Sequence, residues 1–431
     1  MSDVKIGIAG LGVVGGGLLD ILLNRTEKLA RLQSAVRVAA VSARNKSSDR
    51  GVTLDGIAWF DDPVAMANSD DIDIFVELIG GSDGVARASV EAALANGKHV
   101  VTANKALIAA HGRDLAAMAE KNGVSLSYEA AVAGGIPAIR GLREGCAASS
   151  VSAITAILNG TCNYILTEME KTGAPYEEVL KDAQNLGYAE ADPSFDVGGI
   201  DAAHKLAILA MIAFDADVNF DDLTVQGIER ITAEDIQAAG KLGYKIRLLA
   251  IARAYENGLQ LRVHPSLVLE DHPAALAEGP NNLLIIDSEP LGRISLTGPG
   301  AGAGATAAAV AADIIAITRG ARGPAFNTPS SALRNIPVLP VEHQDGCFYM
   351  RVMLHDVPGA IAGITETLAR YNISIDSLLQ PSVERTGTDK ATVVLTTHTT
   401  TLHDINAAAS DIAQKPFASG TPSIMRIVTV V

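Results

Sequence analysis

Cysteine is scarce. Cys146, Cys162 and Cys347 are the only three in 431 residues, and their wide separation gives no metal-ligand spacing. A disulfide framework is thereby excluded and a cytoplasmic chain is expected. Long apolar runs are also missing: none reaches the roughly 18–20 residues that span a membrane. The apolar start after Lys5 is interrupted by glycines up to Gly17 and has no clear A-x-A cleavage site, so it does not read as a signal peptide. Positive charge is short as well, with 34 Lys and Arg against 49 Asp and Glu and a formal net charge of -15. That balance argues against a nucleic-acid or anionic-membrane surface and favours small polar ligands.

What is present is enough apolar material, 48% of residues, to give two or three domains a core each. Strand candidates "VKIGIA" (4–9), "VRVAAV" (36–41), "IDIFVELI" (72–79) and "HVVTA" (99–103) alternate with helix candidates, which is the βαβ logic of a mostly parallel sheet. "VSLSYEA" (124–130) reads as the strand that ends this α/β unit. From 131 to 320 the pattern suits an antiparallel sheet covered by helices, with a turn at Asn257-Gly258. Pro324, Pro329, Pro337 and Pro340 then mark 321–346 as a linker, and residues 347–431 read as a small βαββαβ α+β domain.

Gly10, Gly12 and Gly15 form G-x-G-x-x-G between the first strand and the first helix. The first two let the backbone turn and approach a pyrophosphate, and the third lets helix and strand pack. The helix opening at Val13 and Val14 offers N–H groups to the anion. The second strand ends in "VSARNKSSDR", with Arg44 and Lys46 and no acid before Asp49. An acid there would bind a ribose diol; these cations suit a 2′-phosphate, so NADP is favoured over NAD.

Asp201 and Lys205 stand four apart where a helix begins that is apolar on every side from Leu206 to Phe214. Such a pair on a helix surface contributes only about 0.3–0.5 kcal/mol, but charges at the mouth of a buried helix point to a site. Upstream, Glu190, Asp192 and Asp196 crowd one segment, which suits a hard cation or an ammonium; without an EF-hand pattern and with two lysines in play, the ammonium is preferred. Alcohol oxidation by a nicotinamide needs a group to take the hydroxyl proton, and a lysine serves if its pKa falls from about 10.4. Lys205 is one candidate; Lys105, past the end of the strand "HVVTA", is another.

The runs "GKHVVTANKALIA", "YEAAVAGGIPAI", "LNGTCNYILTEM", "AQNLGYAEADPSFDVGGIDAAHKLAILA" and "GPGAGAGATAAAVAADI" closely resemble homoserine dehydrogenase from the first strand to about residue 320. "HDVPGAIAGITETLARYNISIDSLLQ" resembles an ACT domain. The resemblance implies an N-terminal Rossmann-type domain (1–130, completed by about 298–320), an α+β catalytic and dimerisation domain (131–320) and an ACT-like domain (347–431). It implies NADPH-linked, reversible conversion of L-aspartate 4-semialdehyde to L-homoserine. Lys205 is then the proton carrier, Asp201 its partner, and Lys105 a lysine near cofactor and reacting oxygen. Glu190 binds the substrate's amino group, with Asp196 a second acid there, and Gly302 returns to the cofactor.

Further implications are a monovalent-cation site, usually sodium, at Glu129 with the carbonyls of Val132, Gly134 and Ile136, and a homodimer or homotetramer. Around Asp356, Pro358 and Gly359 an amino-acid effector, L-threonine, would bind. The chain departs from the family at Gly198, commonly an acid, and at Gly304-Ala305, where a proline is usual. Two rivals fit less well. Phosphoglycerate dehydrogenase places its nucleotide fold mid-chain and uses histidine, and a silent cofactor-binding regulator has little need of Asp201, Lys105 and Lys205.

Overall fold

A computed structural model describes residues 3–25, 36–48, 50–380 and 390–428. The first unit begins with β1 (Val4–Ala9), α1 (Val13–Asn24), β2 (Val36–Ser42), β3 (Ala58–Phe60) and α2 (Pro63–Asn68). It continues through β4 (Ile74–Glu77), α3 (Val85–Ala95), β5 (His99–Thr102), α4 (Lys105–Lys121) and β6 (Leu126–Ser127). Its six strands run parallel in the order β3-β2-β1-β4-β5-β6. Helices cover both faces, so the central strands are continuous apolar runs instead of alternating ones. Strand order reverses beside β1, which opens a crevice at the C-terminal ends of β1 and β4. The strand predicted over 124–130 is only Leu126–Ser127; the chain then turns tightly through Glu129–Ala131 because Asp313 accepts the Glu129 N–H and draws it out of the ladder.

The second unit contributes β7 (Ser150–Ile157), α5 (Gly160–Thr172), α6 (Tyr176–Asn185), α7 (Ile200–Phe214), β8 (Thr224–Val225) and α8 (Ala233–Lys241). Then come the hairpin β9 (Tyr244–Tyr255) and β10 (Gly258–Leu269), β11 (Asn281–Glu289), β12 (Gly292–Pro299) and α9 (Ala303–Thr318). Buried α7 lies against the hairpin and shares one core with Leu248, Ala250, Leu261 and Val263. Helix α9 turns back to the first unit: Ala307, Val310, Ala311, Ile314 and Ile317 join Leu18, Leu19 and Leu22 of α1 in one apolar cluster.

The tail folds as β13 (Asp345–His355), α10 (Ala360–Arg370), β14 (Ile375–Leu379), β15 (Lys390–Thr397), β16 (Thr400–Thr401), α11 (Leu402–Ala413) and β17 (Ser423–Val428). Its sheet is not separate. β17 pairs in parallel with β10, matching Ser266 to Arg426 and Val268 to Val428, so one eleven-stranded sheet runs from β12 to β14.

The segment 321–346, expected as a linker, is a packed strap. The Tyr128 hydroxyl donates to the Ala325 carbonyl at 2.6 Å, and Ser330 donates through N and Oγ to Glu120 at 2.9 and 2.7 Å. Arg334 pairs with the end of α7, its N–H donating to Asp215 at 2.8 Å, and Leu339 donates to Leu259 of β10 at 2.7 Å. The strap's prolines give it the composition of a linker and its regular structure before β13 is one short turn, Ser330–Ala332, and isolated bridges, yet Ala325, Phe326, Leu333 and Val341 are each buried. Among the described residues no helix is long and apolar enough to cross a membrane.

Candidate active site

The glycine loop is shaped for close approach. Gly10 has φ 99, and a Cβ there would stand 2.3 Å from the Leu78 carbonyl oxygen. At Gly15 a Cβ would stand 2.2 Å from the Gly10 oxygen, so helix and strand could not pack. Above Gly12 nothing lies within 4 Å, and Gly12 gives α1 no side-chain cap. The first N–H groups of α1, from Val13 and Val14 on, are thus left for an anion. Val13 is 75% exposed, an apolar side chain at the lip of the crevice. Gly302, φ 111 and open above, starts α9 close by, where Ala303 abuts Gly17. Arg44 and Lys46 are exposed beyond β2, and Lys46 lies 5.6 Å from the Trp59 ring centroid. Arg50 holds this loop, donating to the carbonyls of Asn45, Lys46 and Ser48. Asp49 lies outside the described residues.

The two lysines meet on one carboxylate. Lys205 Nζ is 2.7 Å from Asp201 Oδ2, and Lys105 Nζ is 3.0 Å from Oδ1. Lys105 opens α4, capped by Asn104, at the C-terminal edge of the parallel sheet; Asp201 and Lys205 open α7 in the second unit. The bridge therefore crosses from one unit to the other. Asp201 is 5% exposed, so this is not a surface pair. Burial alone would raise its pKa, but Lys205, Lys105 and Asn159 outweigh that and hold it below the ordinary carboxylate range. Lys205 also donates to the Leu158 carbonyl at 2.7 Å. With two of its three N–H donors engaged in this way, one remains for a ligand.

Among the predicted acids, Asp196 joins this cluster and Glu190 does not. Asn159 Nδ2 donates to Asp196 at 2.8 Å and to Asp201 at 2.9 Å. Burial pushes the Asp196 carboxyl above its usual pKa, with Asn159 opposing. Glu190 is exposed on the loop before the short turn Ser194–Val197, and only its carbonyl is engaged, by Gln184. Asn159 was not singled out from the sequence; its signal is helix capping, since Oδ1 accepts the Cys162 N–H at 2.7 Å and so frees Nδ2 for the acids. A second overlooked group is Glu77, fully buried at the end of β4. It accepts the N–H groups of Ile79 and Gly80 and the Thr102 hydroxyl, while Asn104 donates to the Gly81 carbonyl, so the loops after β4 and β5 are tied together beside Lys105.

The aromatic Phe195 lies 5.6 Å from Lys105 Nζ and from the His204 ring, and the Phe220 ring lies 4.4 Å from that histidine, tilted against it. At Gly198 a Cβ would stand 3.6 Å from Glu229 Oε1, so a carboxylate is already present beside this position. Without the proline near Gly304-Ala305, α9 runs unbroken from Ala303.

Glu129 is buried, and its two oxygens accept the N–H groups of Ile139 and Arg140 at 2.9 and 3.0 Å. Burial, with Asp313 nearby, pushes its carboxyl up to about 7. Glu129, Gly134 and Ile136 border a cavity of about 320 Å³. No group of three or more His, Cys, Asp or Glu able to hold a metal occurs among the described residues. Asp356, Pro358 and Gly359 are exposed, with Gly359 (φ 89) opening α10.

Three family models match: the NAD-binding domain of homoserine dehydrogenase over residues 10–129, homoserine dehydrogenase itself over 137–315, and an ACT domain over 348–417. A homoserine dehydrogenase of Pseudomonas aeruginosa is 41% identical over 436 residues, covering 99% of each chain. The crystal structure of a homoserine dehydrogenase from Thiobacillus denitrificans superposes with TM-score 0.92 at 41% identity, covering 99% of both. A hyperthermophilic archaeal homoserine dehydrogenase in complex with NADPH, 26% identical, matches 75% of this chain and all of its own with TM-score 0.65. With its nucleotide-binding fold, its lysine-bracketed aspartate and its ACT domain, this chain belongs to the homoserine dehydrogenase family.

Proposed function

We propose that this member of the family interconverts L-aspartate 4-semialdehyde and L-homoserine reversibly, with NADPH preferred over NADH, and that Lys205 carries the proton. The observation that bears most weight is the Lys105–Asp201–Lys205 bridge, which joins the nucleotide-binding edge to the buried helix of the second unit.

The crevice fits a dinucleotide, because only glycine at positions 10 and 15 lets the loop pack this tightly on its own backbone, and the space above Gly12 is open. Gly10, Gly12, Val13, Val14, Gly15 and Gly302 would hold the pyrophosphate side and Arg44 and Lys46 a 2′-phosphate. When bound there, a nicotinamide would supply or accept the hydride. In the reducing direction the unengaged N–H of Lys205 donates a proton to the aldehyde oxygen; in the reverse direction its free amine takes the hydroxyl proton. Asp201 fixes the position of Lys205 and compensates its charge, and Lys105 lends positive charge near the same oxygen. Asp196 and the exposed Glu190 take the substrate ammonium.

The donors around Glu129 fit a hard monovalent cation such as sodium: a buried carboxylate beside the carbonyls of Val132, Gly134 and Ile136, all oxygen. Val132 and Gly134 are buried and their carbonyls accept no hydrogen bond among the described residues, whereas that of Ile136 also accepts the Ala138 N–H at 2.7 Å. On the ACT domain, Asp356, Pro358 and Gly359 form the binding turn for L-threonine as feedback inhibitor, in a homodimer or homotetramer.

The test is NADPH oxidation on addition of L-aspartate 4-semialdehyde, run beside NADH and with and without L-threonine. Faster turnover with NADPH and a threonine-dependent fall in rate are expected. No oxidation of either cofactor would overturn the reading, and a rate indifferent to threonine would remove its regulatory half.

A further inference from the structure

The seam between the catalytic sheet and the ACT sheet buries positive charge without a matching negative one. Along β10, Arg262, His264 and Ser266 fall on one face of the strand. β17 sets Arg426 directly beside Ser266 and so on that same face. His264 is 8% and Arg426 7% exposed, and Arg262 is largely buried. The strap covers them: Gly258, earlier on this face, meets the Pro337 carbonyl and Leu339.

Everything that holds the two arginines is neutral. Arg426 donates to the carbonyls of Val341 and Gln344 at 3.0 and 3.4 Å and to that of Asp345 at 3.5 Å, and lies 4.8 Å from the Phe348 ring. Arg262 donates to Gln344 Oε1 at 3.3 Å. Among the described residues neither guanidinium has a carboxylate within 4.0 Å. Burial, with Arg426 adding to it, pushes the Arg262 pKa down to about 9; burial, with Arg262 and Arg426 adding, pushes His264 down to about 3.

Three buried atoms here lack a partner: Arg262 Nε, His264 Nε2 and Gln344 Nε2. The first and third are donors by chemistry. His264 adds no donor: its Nδ1 lies 3.1 Å from the Pro265 carbonyl, which only accepts, so Nδ1 carries the proton and Nε2 of the neutral ring is an acceptor. Unmade donors around uncompensated buried cations are costly, and the partner that satisfies both is an acceptor carrying negative charge. We infer that this seam binds a small oxyanion, a carboxylate or a phosphate, held by Arg262, Gln344 and Arg426. Such an anion neutralises the joint between β10 and β17 and fastens the ACT domain to the catalytic sheet. The site is remote in sequence from the cofactor loop and from Lys205, and it stands independently of how the reaction is assigned.

The experiment is thermal unfolding of the full chain in an oxyanion-free buffer, titrated with sodium phosphate or sodium acetate at constant sodium and ionic strength. A saturable rise in Tm on the order of 3 °C is expected near 100 times Kd. A lower midpoint for phosphate identifies an inorganic oxyanion and a lower midpoint for acetate a carboxylate ligand. Gln344→Glu supplies the charge from within: it is expected to raise Tm in the oxyanion-free buffer and to abolish the response. Arg262→Gln is expected to lose the response as well. A flat titration of the unaltered protein overturns the inference, and so does a rise that fails to saturate or that Gln344→Glu retains in full.

Discussion

Two buried aspartates, one in the active cleft and one at the domain seam, handle the same problem in opposite ways. Asp201 is met by Lys205, Lys105 and Asn159, at 2.7, 3.0 and 2.9 Å. Asp235, at the start of α8, accepts Arg351 Nε and Nη2 at 2.6 and 3.0 Å, the Tyr349 hydroxyl at 2.9 Å, and the Thr232 N–H and hydroxyl at 3.1 and 3.0 Å. Arginine presents a planar fork that a carboxylate saturates, whereas lysine is a point charge with donors to spare. The closed arrangement ties the ACT strand β13 to the catalytic domain. The open one leaves a lysine N–H without a partner, so under the proposed function buried charge serves structure in one place and chemistry in the other.

The largest effect that can break this contrast is on rate. Lys205→Ala is expected to lower turnover by about 10³-fold, while NADPH affinity, followed by fluorescence titration, stays close to that of the unaltered protein; a variant keeping a tenth of the activity would undo the open-donor role. Asp235→Ala should behave inversely. Stranding the Arg351 charge is expected to cost about 3–5 kcal/mol of unfolding free energy in a denaturant titration, with turnover at low temperature little changed. Exposed cations should matter less than either: Arg44→Ser with Lys46→Ser is expected to reduce kcat/KM for NADPH about tenfold, the worth of one charge-assisted contact, and to leave that for NADH unaltered.

The smallest effect concerns Glu129. Its folded pKa, about 7, lies above the ordinary 4.5, so the protonated carboxyl is the form favoured by folding. Its contribution is fully present below pH 4.5 and is lost as pH rises through about 7, since the unfolded chain has by then released the proton. A cation at Glu129 reverses this, because it binds the carboxylate. Replacing choline by sodium should leave Tm unchanged at pH 5 and raise it at pH 8, and equal shifts at both would remove sodium from this site.

Local signals carried much of this molecule. The glycine spacing, the apolar run after Lys205 and the βαββαβ order of the tail are each periodic or punctuated within a few residues, and the structure has those elements. What the sequence hid is long-range. Nothing in the sequence around Lys105 names Asp201 as its partner, because that contact arises only when the first turns of α4 and α7 are brought together. Asn159 was concealed by its second role as a helix cap. The strap looked like a linker because proline content reports local backbone preference and is silent about what Phe326 and Val341 bury against. The β10–β17 pairing was equally hidden, since Arg262 and Arg426 become neighbours only through a register set across two domains.

Helix α9 carries one more consequence. It completes the apolar face of α1, yet it is made only after the whole second unit has emerged. During synthesis Leu18, Leu19 and Leu22 must therefore wait without their cover, and closing that contact spans a long loop, which makes it a late event in folding. A fragment ending at residue 130 is for the same reason not an autonomous folding unit: it would display a bare leucine stripe, and its fate in a cell would be governed by chaperones and aggregation more than by its affinity for a dinucleotide.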